Sequence, residues 1–228
     1  MVMVKDGVPQ PLRAELSRTE LIRALASNLD ARVITVIAPS GYGKTTLIAQ
    51  YCRNSGRKTC WLDLSENDLD TRRLEHRLRQ EIQGLAEIPT QTPNAPEQRT
   101  VGAALVELAL ELNRQPDNLD IVFDNIDLIS GETAAAVGSF AESLAEGHRV
   151  LLIGHTIEHL RITRLVARGE VFDITQRELS FALEETTNYL YSRDFTGDAA
   201  LVQESLAGWP AGVALTASGA RLAYSHGN

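Results

Sequence analysis

The amino-acid sequence predicts an α/β fold, in which a mostly parallel β-sheet is flanked by helices and followed by a small helical subdomain. Three observations carry this expectation. Short apolar runs alternate with helical periodicity from about residue 30 onward. A glycine-rich segment joins the first of those runs to the first strong helical stripe. After Ile174 the strand signals stop, and only helical patterns remain. The expected division is a main domain over residues 1–175 and a helical subdomain over 176–228.

Arg32 to Ala38, reading R-V-I-T-V-I-A, is the continuous apolar and β-branched run of a strand buried on both faces. Thr45 to Arg53 reads as a helix and Thr59 to Asp63 as a second strand. Leu74, Leu78, Ile82 and Leu85 then fall on one helical stripe. Pro89, Pro93 and Pro96 among polar residues mark a surface loop with the character of a mobile connection. Val101, Leu105, Leu108 and Leu112 give a further helix. Strands are expected at Asp120–Asp124, Val150–Ile153 and Val171–Ile174, separated by helices over 132–145 and 157–167. Helices over 183–191, 199–206 and 211–224 make up the last segment.

With 228 residues and 43% hydrophobic content, the chain can bury a full core, which argues against disorder. No apolar run approaches the roughly 20 residues that cross a bilayer. The first residues lack the apolar stretch of a secretory signal, which points to the cytoplasm and to Cys52 and Cys60 as reduced core thiols. Acids number 30 against 22 Lys and Arg, so the net charge of −8 argues against autonomous binding of nucleic acid. The arginines at 72, 73, 77 and 79 are interleaved with Glu75 and Glu81, as on a solvated helix face. His76, His148, His159 and His226 have no metal-ligand spacing, so no zinc site is expected. A Ser-His-Asp arrangement is not expected either, because the serine nearest a glycine turn, Ser40, does not sit in a nucleophile elbow.

The most specific motif is Ala38-Pro-Ser-Gly-Tyr-Gly-Lys-Thr45, the P-loop pattern with Ala in its first position. A turn from strand to helix aims successive backbone N–H groups, and the positive end of the helix, at one anion. Ser40, Gly41, Tyr42, Gly43, Lys44, Thr45 and Thr46 are the binding candidates. Gly41 and Gly43 let the backbone close around phosphate. Lys44 can reach the β- and γ-phosphates, the Thr45 hydroxyl can bind Mg²⁺, and Thr46 can add a hydroxyl near the α-phosphate. Tyr42 either shields the loop or lies near the nucleotide. A carboxylate for the metal's other face should end a neighbouring strand, and D-I-V-F-D124 provides it in Asp124.

These motifs, taken together, resemble the signal-transduction ATPases of the STAND class, and within it the large ATP-binding LuxR-type regulators of the MalT kind. Leu16-Ser-Arg18-Thr-Glu-Leu21-Ile resembles the segment leading into the nucleotide site, which makes Arg18 a binding candidate. Cys60-Trp-Leu-Asp-Leu64 with Glu66-Asn-Asp68, Leu160-Arg-Ile-Thr-Arg-Leu-Val-Ala-Arg168-Gly-Glu, Leu179-Ser-Phe-Ala-Leu-Glu-Glu185 and Gly208-Trp-Pro-Ala-Gly212 resemble further family segments in the family's order. The resemblance implies ATP or ADP with Mg²⁺ as ligands and Pro210 against the adenine; Pro210 equally suits the first turn of a helix. Trp209 reads as a core anchor of the helical subdomain.

Three departures from the family pattern matter. Asn125 stands where the family usually has a second acid, and an amide can orient water without accepting its proton. Asp127 or Asp63 could substitute, but sequence cannot place either. His155 stands where an arginine usually senses the γ-phosphate, and it stabilises developing charge less well. Finally, the family's winged-helix-like module, helical repeats and DNA-binding module have no counterpart within residues 1–228. The expected function is therefore an ATP-binding switch with slow or absent hydrolysis, whose catalytic candidates are Lys44, Asp124 and Asn125 and whose metal ligands are Thr45 and Asp124. An inducer or protein partner would act through modules outside these residues, with no direct nucleic-acid or membrane contact. The alternatives are a P-loop kinase acting on a small molecule and a nucleotide-stabilised interaction scaffold. Residues 86–98 contain no Arg or Lys for a kinase lid, which counts against the first.

Overall fold

The computed structural model describes residues 7–11, 15–86 and 101–225, with side chains in the last helix described to residue 219. The loop around Pro89, Pro93 and Pro96 lies outside the described residues, as does His226. A helix not anticipated from the sequence, α1 (Thr19–Ser27), precedes the first strand and buries Leu25. The chain then runs β1 (Val33–Ile37), α2 (Lys44–Asn54), β2 (Lys58–Asp63), α3 (Thr71–Gln83), α4 (Val101–Leu112), β3 (Leu119–Asp124), α5 (Gly131–Ser143), β4 (Arg149–Gly154), α6 (Thr163–Ala167) and β5 (Val171–Thr175). The five strands form one parallel sheet in the order β2-β3-β4-β1-β5.

The apolar runs are buried on both faces because successive side chains leave a strand on opposite sides. Ile121, Phe123, Val150 and Leu152 pack with Leu74, Leu78 and Ile82 of α3, Leu105, Leu108 and Leu112 of α4, and Phe140 of α5. Val122, Leu151, Ile153, Ile34 and Val36 point the other way, onto Leu25 of α1 and Leu47, Ile48 and Tyr51 of α2. Both cysteines are buried, Cys60 on the first face and Cys52 on the second. Burial pushes the Cys60 thiol up, so it stays protonated.

After β5 come α7 (Gln176–Leu179), α8 (Leu183–Tyr191), α9 (Ala199–Leu206) and α10 (Pro210–Ser225). Leu179 still belongs to the second face of the sheet. Phe181, Leu190, Val213 and Ala217 form a third cluster, against which Leu16 of the N-terminal segment packs.

Two expectations are corrected. The helix expected over 157–167 shrinks to α6, because Leu160 and Ile162 are buried on either side of exposed Arg161, an extended rather than helical alternation. The face carrying arginines 72, 73, 77 and 79 is not wholly solvated. Arg79 is buried and pairs with Glu75 at 3.0 Å and Glu111 at 2.7 Å, so it ties α3 to α4. Arg77 pairs with the buried Asp68 at 2.8 Å.

Candidate functional site

The parallel order puts the C-terminal ends of β1, β3 and β4 side by side, with β4 between the other two. The turns leaving these ends carry most of the residues singled out by the sequence. Residues 38–43 form the turn from β1 into α2, with Gly41 (φ 81°) and Gly43 (φ 77°) in the left-handed region. Gly43 caps α2, and the Leu47 N–H donates to its carbonyl at 2.8 Å. The loop thus ends on the free N–H groups of a long helix, where an anion is favoured.

Lys44 donates from Nζ to the carbonyls of Ala38 (2.8 Å) and Pro39 (3.1 Å), so its ammonium bridges the loop it belongs to. Burial pulls its pKa down, opposed by the negative charges of Asp127 and Asp124. The Thr45 hydroxyl donates to Asp124 Oδ2 at 2.9 Å, which joins the start of α2 to the end of β3. Asp124 is buried, and that burial pushes its carboxyl up against the hydrogen bonds from Thr45 and the Asn125 N–H; nearby Asp63 adds to the rise. A buried carboxylate beside a hydroxyl would be relieved by a cation, so this pair suits one face of a divalent ion. Among the described residues, no cluster of three or more His, Cys, Asp or Glu could hold a metal. An ion here would take its remaining ligands from phosphate and water.

Asn125 has a left-handed backbone (φ 61°, ψ 43°), a conformation that Asn tolerates better than Glu. Its amide Nδ2 donates to Asp63 Oδ1 at 2.8 Å, which ties the ends of β3 and β2 together. Asn125 opens a short 3-10 turn, Ile126–Leu128, that carries Asp127 to the end of β4. There Asp127 receives the His155 backbone N–H on Oδ1 (2.8 Å), and its Oδ2 lies 3.1 Å from His155 Nδ1. Burial works against this carboxylate, but the two hydrogen bonds from His155 outweigh it and hold its carboxyl below the usual range. His155 Nε2 in turn lies 3.0 Å from Ser40 Oγ in the P-loop. The expectation that no Ser-His-Asp arrangement exists is therefore corrected. The three residues form a hydrogen-bonded chain, although on a phosphate loop instead of a nucleophile elbow. No sequence spacing announces it, because Asp127, His155 and Ser40 leave three different strands.

The other singled-out residues fall elsewhere. Tyr42 is buried in the second core face, and its hydroxyl accepts from Gln176 Nε2 at 2.8 Å. Thr46 is half-buried in the first turn of α2. The Arg18 guanidinium donates to the carbonyls of Leu179 (2.8 Å) and Glu178 (2.9 Å), pairs with Glu185 at 2.9 Å and lies over the Phe181 ring. Pro210 is buried as the first residue of α10.

Trp209 bridges the two parts of the chain. It packs against the second core face of the main domain, and its Nε1 donates to the Ser40 carbonyl at 3.2 Å. Beside it the Ala211 N–H donates to the Gly41 carbonyl at 3.0 Å. A Cβ on Gly41 would fall 2.7 Å from the Ala211 Cβ and 2.8 Å from Trp209 Nε1, so glycine is what lets the helical cap seat on the loop. The expectation of Trp209 as a core anchor of the C-terminal helices is corrected: it packs on the second face of the sheet instead of in the Phe181 cluster.

No family model matches the chain. Over 98% of its length it is 25% identical to the HTH-type transcriptional regulator MalT of Serratia proteamaculans, and over 96% it is 24% identical to that of Yersinia pestis (strain Pestoides F). The chain spans about a quarter, 26%, of the length of these curated relatives. Among solved structures, a STAND protein with a tetratricopeptide repeat sensor from Pyrococcus horikoshii superposes with a TM-score of 0.57 at 11% identity, over 91% of this chain and 30% of that one. The ORC1 protein of Aeropyrum pernix, solved in complex with DNA, gives 0.55 at 16% identity, over 100% of this chain and 64% of that one. Along nearly its whole length the chain thus resembles one region of the MalT regulators, and its fold is similar to that of a STAND protein.

Proposed function

We propose that the chain is an Mg²⁺-ATP-binding switch module, the regulatory part of a cytoplasmic transcription regulator, with slow hydrolysis. One observation carries the reading: the loop that would cradle phosphate is hydrogen-bonded to the helical cap through Trp209 and Ala211. Through these bonds a ligand in that loop can bias the cap, and a switch needs only a difference in its affinity for two cap arrangements. Thr45 and Asp124 would hold Mg²⁺, Lys44 would leave its loop carbonyls for the phosphates, and bound nucleotide supplies the charge that these groups compensate. Asn125, tied to Asp63, accepts no proton from water, so position 125 itself supplies no general base, and turnover is expected to be slow. An inducer or protein partner, and any DNA contact, would belong to other parts of a longer regulator of the MalT kind.

Calorimetry with ATP and ADP in the presence of Mg²⁺ tests the binding, and a chain that binds neither overturns it. Tryptophan fluorescence in the Trp61→Phe background tests the switch. Mg²⁺-ATP should shift the Trp209 signal, and Lys44→Ala should abolish the shift. Turnover should stay below about 1 s⁻¹, the lower end of ordinary enzyme rates.

A further inference from the structure

The chain Asp127–His155–Ser40 is not explained by phosphate binding alone. Neutral imidazole carries one proton, and a carboxylate can only accept a hydrogen bond. Asp127 Oδ2 facing Nδ1 favours the tautomer protonated on Nδ1, which leaves Nε2 as the acceptor for the Ser40 hydroxyl. Asp127 is itself doubly held, since its other oxygen receives the His155 backbone N–H. The backbone is shaped for this contact. A Cβ on Gly154 would fall 2.5 Å from Asp127 Oδ1 and 2.8 Å from Ile126 Cγ2, so any other residue there would push the aspartate off the histidine. His155 is about half exposed, and so its ring can be reached by water.

We propose that His155 is the proton acceptor for the water that attacks the γ-phosphate, with Asp127 as its positioning residue, in place of the acid lacking at position 125. The inference rests on the nucleotide-binding reading above. When a triphosphate fills the loop, the Ser40 hydroxyl turns to a phosphate oxygen and frees Nε2. The water oxygen then bonds to the γ-phosphorus as the bond to the β–γ bridging oxygen breaks, and ADP leaves with that electron pair. The water proton passes to Nε2, and the resulting imidazolium is paired with the Asp127 carboxylate until it returns the proton to solvent.

Single-turnover hydrolysis of ATP, calorimetry and the ¹⁵N spectrum of the histidine ring together test this assignment. His155→Ala should slow hydrolysis about 100-fold, the lower end of what a positioned base contributes. ATP affinity should change less than threefold. Added imidazole should restore at least a tenth of the lost rate to His155→Ala and leave Asp127→Asn unaffected, a response that a structural role would not give. Without nucleotide, the His155 ring should show the Nδ1-protonated tautomer, and Asp127→Asn should lose it. Wild-type chain that binds ATP but shows no single-turnover hydrolysis overturns the proposal, as does an unrescued His155→Ala or the opposite tautomer. Failure of ATP to bind at all overturns the nucleotide reading instead.

Discussion

Strand β3 carries a buried aspartate at each end of its apolar run, and the two are treated in opposite ways. Asp120, fully buried, accepts from Arg57 Nε at 2.6 Å and from Arg149 Nε at 3.2 Å. Arg149 also donates to the Tyr51 hydroxyl and lies with its guanidinium 5.4 Å from that ring's centre. Asp124, four residues on and also buried, has the Thr45 hydroxyl and a backbone N–H but no arginine. One end of the sheet pairs its carboxylate directly with arginines, and at the other the nearby cation, Lys44, acts on Asp124 through space while its ammonium is bonded to loop carbonyls. Burial alone does not mark a structural acid. What separates the two is whether the counter-charge is a direct, buried ion pair or a cation that is itself free to turn to a ligand.

The largest expected effect comes from breaking the satisfied end. Asp120→Asn leaves Arg149 buried without its counter-ion and should destabilise the chain by about 3–5 kcal/mol. The midpoint of urea unfolding measures this, and ATP affinity of the chain that remains folded should be unchanged. A loss under about 1 kcal/mol would mean that Arg149 is adequately solvated, and the contrast between the two ends would disappear.

Asp124→Asn should act in the reverse sense. Because folding raises this carboxyl's pKa, the native state holds the proton more tightly, and ionisation opposes folding at neutral pH. The variant should therefore be more stable than wild type at pH 7, by about 0.5 kcal/mol. The gain should shrink as pH falls through the raised value towards the ordinary carboxylate range, where the wild-type group is neutral in both states. Its Mg²⁺-dependent ATP affinity should drop about tenfold to a hundredfold, the order expected when a metal site loses support. Calorimetry with and without Mg²⁺ separates the two effects, and equal losses in both conditions would remove Asp124 from the metal.

The glycine-rich turn from β1 into α2, the five strands and the place of Asp124 at the end of β3 were legible because each is local: a spacing, an apolar run, a run's last residue. The 157–167 region was misread for the opposite reason. Buried Leu160 and Ile162 alternate with period two, yet they sit beside a true helix and were absorbed into its stripe. The Asp120 cluster and the Asp127–His155–Ser40 chain were illegible because each joins side chains from separate strands, and strand order is not written in any one of them. Arg18, a binding candidate through resemblance alone, has its guanidinium engaged with the α7–α8 junction, which its segment did not announce. A faint signal existed at Gly154, an otherwise unexplained glycine closing an apolar strand, which here makes room for Asp127.

The smallest effect sharpens the contrast at the open end. If nucleotide compensates Asp124 and also moves the cap, the contact between cap and loop must differ in free energy between the empty and filled states. Trp209→Phe keeps most of the ring's packing and removes one donor, the N–H that reaches the Ser40 carbonyl. A single neutral hydrogen bond contributes about 0.5–1.5 kcal/mol, so the empty chain should lose about 1 kcal/mol of stability. ATP affinity should then change by at most about fivefold, because the substitution can alter binding only by the difference in that bond's strength between the two states. An unchanged affinity beside a lowered stability would show the indole bond intact in both states, and would move the coupling to the neighbouring Ala211–Gly41 bond. A change in affinity at constant stability would show that the bond forms only in the filled state. In either case the satisfied end serves as the control, since Asp120 and its arginines lie at the opposite ends of the strands and should not respond to ATP.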